Sequence, residues 1–207
     1  GGEGELARTV AETFRAAGHD VRSPGRQELD VTDSDAVKAY LAGLEIELLV
    51  CAAGITRDAP LAKLSESAWD ETLAVNLHAA ARCARGVLKG MSRRKSGHIV
   101  FVSSFSALHP PAGQTAYAAA KAGLIGLAKS LAREAGPANV RVNVVLPGFL
   151  ETRMTAGLSS ERRDQVLADH VLGRFNTPEA VARFLYALHE NLPHTSGQVF
   201  QLDSRVA

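Results

Sequence analysis

Ser104, Tyr117 and Lys121 are the residues of this chain whose types and spacing could do chemistry. Tyr117 and Lys121 stand four apart, so on a helix they share one face with roughly 5–6 Å between Cβ atoms. A phenol loses its proton near pH ~10, and an ammonium beside it favours the phenolate and lowers that value. A hydroxyl such as that of Ser104, aimed from a strand end, could hold a substrate oxygen against the phenol. The three together form a device for giving a proton to an oxygen on carbon, or taking one from it. A Tyr–Lys pair on a solvated helix is the ordinary alternative. The place of Ser104, thirteen residues before Tyr117 and just past an apolar run, raises this pair above it.

The elements that must position these groups can be read from the same stretch. Ile99-Val100-Phe101-Val102-Ser103 is β-branched and aromatic with little alternation, which suits a strand buried on both faces. Pro110, Pro111 and Gly113 mark a loop, and an alanine-rich helix is predicted from Thr115 or Ala116. Upstream, Asn76 interrupts the apolar helical pattern LAVNLHAA. A polar amide there costs helix propensity and, if buried, must find partners. It marks a kink held by the amide, a catalytic residue, or both.

A Ser, a Tyr-x-x-x-Lys and an upstream Asn in this order and spacing resemble the short-chain dehydrogenase/reductase family. The likeness runs from Cys51 to Leu202, and GQTAYAAAKAGLIGLAKSLARE and NVVLPGFLETRMT carry it most strongly. Within the family it is nearest to β-ketoacyl carrier-protein reductases. The resemblance implies a Rossmann-type fold and reduction of a ketone to a secondary alcohol, with NADPH preferred over NADH. It gives Tyr117 the role of acid and Ser104 that of orienting the oxygen. Lys121 would contact the ribose and keep the phenol acidic, while Asn76 binds a water that relays protons. A keto-acyl thioester on an acyl carrier protein, of fatty-acid or polyketide type, is the implied substrate. The family also implies a homodimer or homotetramer through the small-residue helices.

The cofactor residues are expected at the strand ends. Gly2-x-Gly4-x-x-Ala7 is a form of the dinucleotide fingerprint, whose glycines permit a tight turn and close approach of a pyrophosphate to a helix start. Gly1, Gly2, Gly4 and Leu6 are therefore candidates, although Glu5 falls where the family pattern has glycine. Arg22 and Arg26 could accommodate a 2′-phosphate, no acid standing there to hold a ribose hydroxyl. Asp30 and Val31 resemble the acidic step beside adenine. Ala52, Ala53 and Gly54 end a buried strand and resemble the segment that lines the crevice, with Cys51 and Ala52 in place of the usual asparagines. Pro147 and Gly148 would lie beside the nicotinamide, and Thr152 near its carboxamide. Where the family often closes its last strand with Asp-Gly-Gly, this chain has Asp203-Ser204-Arg205.

Strands alternating with helices predict a doubly wound parallel sheet in a single domain, residues 1–207, with residues 152–174 as a lid over the substrate. Val21-Arg22-Ser23 and Glu28-Leu29-Asp30-Val31 read as strands. The four residues between them are too few for a parallel crossover, so a shortened N-terminal edge is expected. Helix caps are expected at Asp33, Ser65 and Thr177.

The totals exclude other classes. With 207 residues, 46% hydrophobic, the chain can bury a sizeable core. A net charge of +1 and 5% aromatics give neither the field nor the stacking surface for nucleic acid. Cys51 and Cys83 read as reduced core thiols, and no metal site is expected. No apolar stretch reaches the ~20 residues that span a bilayer, so a cytoplasmic protein without membrane contact is expected. Two other readings stay open: an NAD(H)-dependent alcohol dehydrogenase of the same family, and a family-derived scaffold subunit without turnover.

Overall fold

The computed structural model describes residues 1–206. Four parallel strands form one sheet in the order β1 (Leu48–Cys51), β2 (Gly97–Val102), β3 (Val140–Leu146) and β4 (Val199–Gln201). Alternation along β2 and β3 assigns their side chains to two layers. Ile99, Phe101, Val142, Val144 and Leu146 face α4 (Ala79–Arg94) and α5 (Thr115–Ala135), forming one core with Met91, Leu124 and Ala128. Val100 and Val145 face the other way, toward α1 (Glu5–Ala16) and α7 (Pro178–Glu190), with Phe14, Val181 and Leu185. Fully burying such a side chain contributes about 1.5–3 kcal/mol. The two central strands are therefore covered on both faces, as an all-parallel sheet requires.

The remaining helices lie in the connections. α2 (Ser34–Leu41) precedes β1, α3 (Glu66–Leu73) runs into α4 through the single π turn Ala74–His78, and α6 (Ser160–Ala168) lies between β3 and α7. The predicted caps are formed. Asp33 accepts from the amides of Asp35 and Ala36, Ser65 from Ala68, and Thr177 from Ala180.

The two short strands expected before α2 are not formed. Residues 19–25 run as irregular chain, and residues 26–33 form turns and extended backbone. The reason is physical. A strand needs a ladder to join, and no strand lies beyond β1 among the described residues. Pro24, which has no N–H to donate, and Gly25 interrupt the segment as well. The residues are held individually instead, with Leu29 buried and the Gly2 amide donating to the Pro24 carbonyl at 2.9 Å.

Candidate active site

Parallel strands end on one edge, and three of these ends carry the candidate residues. Past β2, Ser103 and Ser104 leave the sheet. The Ser103 hydroxyl donates to the Lys121 carbonyl at 2.8 Å, which ties the strand end to the first turns of α5. Ser104 is extended and caps the single turn Phe105–Ala107, its Oγ accepting from the Ser106 amide at 3.2 Å. Because the hydroxyl accepts from that N–H, its own proton remains free to donate. Tyr117 lies half-buried in the first turn of α5, and its phenol faces Ser104.

Lys121, one turn on, is buried at 4% exposure. Its Nζ donates to the Val102 carbonyl at 2.9 Å and lies 5.6 Å from the centre of the Tyr117 ring. Burial lowers the lysine to about 8. The expectation that the ammonium makes the phenol acidic is not met in this state. Burial raises the Tyr117 pKa, Ser104 works against the rise, and the Asp58 carboxylate adds to it. The lysine is turned to a strand carbonyl rather than to the phenol oxygen, so its charge does not offset the desolvation of the phenolate.

Asn76 sits in the π turn, buried at 1% exposure. Its amide donates to the carbonyls of Ile55 at 2.8 Å and Thr72 at 2.9 Å, and its oxygen accepts from the Ile55 amide at 3.3 Å. The π turn is the kink that the misfit amide predicted. Gly54, just past β1, brings a second strand end to the same place. A Cβ there would lie 2.9 Å from Asn76 Oδ1 and would push that buried oxygen aside, while Lys121 Nζ stands at ordinary contact, 3.6 Å. Ser104, Tyr117, Lys121, Asn76 and Gly54 therefore stand together at the carboxyl edge of the sheet.

The nucleotide-side candidates surround the next part of that edge. A Cβ on Gly1 would lie 2.8 Å from Ala53, and one on Gly2 would lie 2.1 Å from the Ser23 carbonyl, so these glycines are where backbone approaches backbone. Gly4 caps α1 without any side chain bonding to the first-turn amides, which leaves a helix start open to a phosphate. Leu6 packs into the α1/α7 core. Arg22 and Arg26 are exposed on either side of Pro24. Asp30 turns its carboxylate to the Thr32 amide and hydroxyl at 2.8 and 2.6 Å, and these bonds lower its pKa. The Val31 carbonyl accepts from Arg82 at 2.8 Å. Pro147 is buried, and Gly148 has φ +83° with no room for a Cβ beside Asp203. Thr152 lines a cavity of about 310 Å³ together with Glu5, Phe149 and Leu158.

Two residues here were missed in the sequence. Asn176 donates to both the Pro147 and the Leu202 carbonyl, at 2.8 and 2.7 Å, and so pins the Pro147-Gly148 turn. Gln114 donates to Asp58 at 2.7 Å and accepts from Ser106 at 2.9 Å, linking two loops over the site. The one signal for Gln114 was its place just before Tyr117. Nothing in the sequence pairs it with Asp58.

Residues 3–163 match the short chain dehydrogenase family. This chain belongs to that family. It is similar to a 3-oxoacyl-(acyl-carrier-protein) reductase of Thermotoga maritima, 40% identical over 189 residues, covering 87% of this chain and 77% of the relative. Similar too are the reductases of the same description from Chlamydia muridarum, 40% identical over 86% of this chain and 75% of the relative, and Chlamydia trachomatis, 35% identical over 99% and 84%. The short chain dehydrogenase is thus an NAD(P)-dependent oxidoreductase with a Rossmann-type sheet. Among its described residues no helix is long and apolar enough to cross a membrane. The nucleotide fits the edge as built, with glycine backbone at Gly1 and Gly2, an uncapped helix start at Gly4 and a left-handed glycine at Gly148.

Proposed function

We propose that this dehydrogenase reduces the ketone of a β-ketoacyl thioester, carried on an acyl carrier protein, with NADPH as the preferred donor. The observation that carries this reading is the convergence of Ser104, Tyr117, Lys121 and Asn76 beside Gly54 on one sheet edge. The names of the relatives supply the thioester. When bound, the nicotinamide supplies the hydride for the carbonyl carbon. Tyr117 Oη gives its proton to the carbonyl oxygen, a phenol kept protonated by burial being suited to that donation. The Ser104 hydroxyl donates a hydrogen bond to the same oxygen and fixes its distance from the phenol. Lys121 reaches the ribose once it leaves the Val102 carbonyl, and Asn76 holds the segment that feeds protons back. Residues 152–174 close over the acyl chain, with Phe149 and Leu158 as apolar walls. Two copies assemble through α5, on which Ala119, Ala122 and Gly126 leave an exposed strip of small residues.

NADPH is favoured by Arg22 and Arg26 flanking the turn that holds Gly2. One observation supports NADH instead. The Glu3 carboxylate lies against Gly25, where a Cβ would be 2.5 Å from its oxygen, and an acid there suits a ribose hydroxyl better than a phosphate. Stopped-flow oxidation of each nucleotide against acetoacetyl thioester, carrier-bound and free, decides between them. NADPH turnover that falls by at least ~10²-fold in Tyr117→Phe is expected, the scale of one general acid. Unchanged turnover in that variant overturns the assignment of the acid. Failure to bind either nucleotide leaves a scaffold subunit.

A further inference from the structure

Asp203, Ser204 and Arg205 stand where the family resemblance leads to two glycines after the aspartate, and their side chains do work that glycines could not. The Asp203 side chain is fully buried beneath Gly148. A buried carboxylate is stable only when paired. Here Oδ2 accepts from Arg205 Nε at 2.6 Å with Nη2 beside it, and Oδ1 accepts from Gln201 Nε2 at 2.9 Å. This pairing fixes the plane of the guanidinium, and its Cζ lies 3.6 Å from the centre of the Phe105 ring. The Arg205 side chain is 11% exposed, so the stack is largely desolvated, the setting in which a cation over a ring is held most strongly.

Phe105 is the residue after Ser104 and the first of the turn that Ser104 caps. At the backbone the turn is held by the Ser106 amide on Ser104 Oγ at 3.2 Å, the Ala107 amide on the Ser104 carbonyl at 3.0 Å and the Leu108 and His109 amides on the Phe105 carbonyl at 3.0 Å. The Ser106 hydroxyl ties it to Gln114 at 2.9 Å, but of these bonds none touches the Phe105 ring. The same tail holds the end of residues 152–174. The Val171 amide donates to the Ser204 carbonyl at 3.1 Å, and the Leu172 amide to the Ser204 hydroxyl at 3.3 Å. Tail, Gly148 turn and Ser104 turn thus meet at the Asp203–Arg205 pair, Gly148 against the carboxylate and Phe105 against the guanidinium.

We propose that Arg205 is a positioning residue for Ser104: anchored by Asp203 and stacked on Phe105, it holds the turn so that the Ser104 hydroxyl faces the substrate carbonyl. The inference rests on the reading that Ser104 orients that carbonyl. An unanchored Phe105 ring lets the turn rock, and the serine proton then spends less time directed at the oxygen.

The experiment measures single-turnover oxidation of NADPH by acetoacetyl thioester in Arg205→Met, Arg205→Lys and Phe105→Leu, each made in the parent and in Ser104→Ala. Expected in the parent background is a fall in kcat of roughly 5- to 30-fold for Arg205→Met and Phe105→Leu. Arg205→Lys keeps the charge and recovers part of the rate, and the dissociation constant for NADPH stays put. In the Ser104→Ala background the same substitutions change kcat by less than about twofold, because a residue acting through Ser104 has nothing left to position. Losses that multiply in full with Ser104→Ala overturn the proposal. A second readout, amide exchange at Ser106 and Ala107, does not need turnover. Faster exchange there in Arg205→Met, with β2 and β3 unchanged, supports the proposal, and unchanged exchange overturns it. Should the parent show no turnover, the reductase reading fails, and the two amides still decide whether the tail holds the turn.

Discussion

Lys121 is buried with its Nζ donating to one carbonyl, that of Val102, and burial draws its pKa from 10.5 down to about 8. A shift of that size corresponds to roughly 3 kcal/mol of cost for keeping the ammonium charged inside the fold. The bond to Val102 offsets about 1 kcal/mol of it. Lys121→Met is therefore expected to stabilise the chain by about 2 kcal/mol at pH 7, raising Tm by about 4–8 °C, while it abolishes reduction. The pH window follows from the direction of the shift. Below about 8 the lysine is charged in both the folded and the unfolded chain, and the difference between parent and variant is constant. Between about 8 and 10.5 the folded chain has released a proton that the unfolded chain still holds, so the stability of the parent rises with pH and the difference narrows. Thermal melts at pH 7 and 9.5 check this. A variant less stable than the parent at pH 7 would show that the ammonium is retained for stability and not for its chemistry.

At the scale of elements, the π turn Ala74–His78 places Asn76 against the loop after β1, and its amide satisfies both polar groups of the Ile55 backbone and the Thr72 carbonyl. Asn76→Leu keeps the branching of the side chain and leaves the Ile55 amide and carbonyl without their side-chain partner. A loss of about 2–3 kcal/mol is expected, read as a fall in Tm of about 4–12 °C with far-ultraviolet helix content retained. A Tm within 1–2 °C of the parent, on that same scale, would mean that water replaces the amide and that the kink stands without it. This turn was legible in the sequence because a polar residue on an apolar helical face conflicts with its surroundings locally. The caps at Asp33, Ser65 and Thr177 were legible for the same reason: each needs only amides two or three residues away. Val21-Arg22-Ser23 and Glu28–Val31 were misread because a strand exists only through its neighbour, and pattern within a segment carries no information about whether a neighbour is there. The bond from Gln114 to Asp58 and the stack of Arg205 on Phe105 lie outside sequence pattern altogether, since each joins side chains brought together by the finished fold.

Across the whole molecule the sheet has two chemically different ends. The carboxyl edge carries the candidate active site, while the amino end of β2 buries His98 beside a polar network drawn from three segments, β3, α7 and residues 195–198. The Asn143 amide is oriented by the Thr195 carbonyl and the Gln198 amide, so its Nδ2 donates to His98 Nε2 at 3.1 Å. His98 Nδ1 therefore carries the ring's hydrogen and donates to His189 Nδ1 at 3.3 Å, the two rings being stacked at 5.5 Å. That fixes the hydrogen of His189 on Nε2, facing Glu190 at 3.6 Å, with Arg141 donating to the His189 carbonyl at 2.8 Å. The network is complete with both imidazoles neutral, and a proton on His98 Nε2 would displace the Asn143 bond. Burial, with Arg141 and His189 beside it, lowers His98 to about 3. Between pH 6.5 and 3 the unfolded chain binds a proton that the folded chain refuses, so stability is lost as pH falls through that window, by about 2 kcal/mol at pH 5. His98→Gln is expected to lower stability at pH 7.5, where the ring's bonds are lost, and to lessen the further fall between pH 7 and 5 by about that same 2 kcal/mol. Urea unfolding at the two pH values, compared between parent and variant, measures it. Parallel falls in both chains would place the acid sensitivity elsewhere, with His189, whose pKa burial also lowers, the next residue to replace.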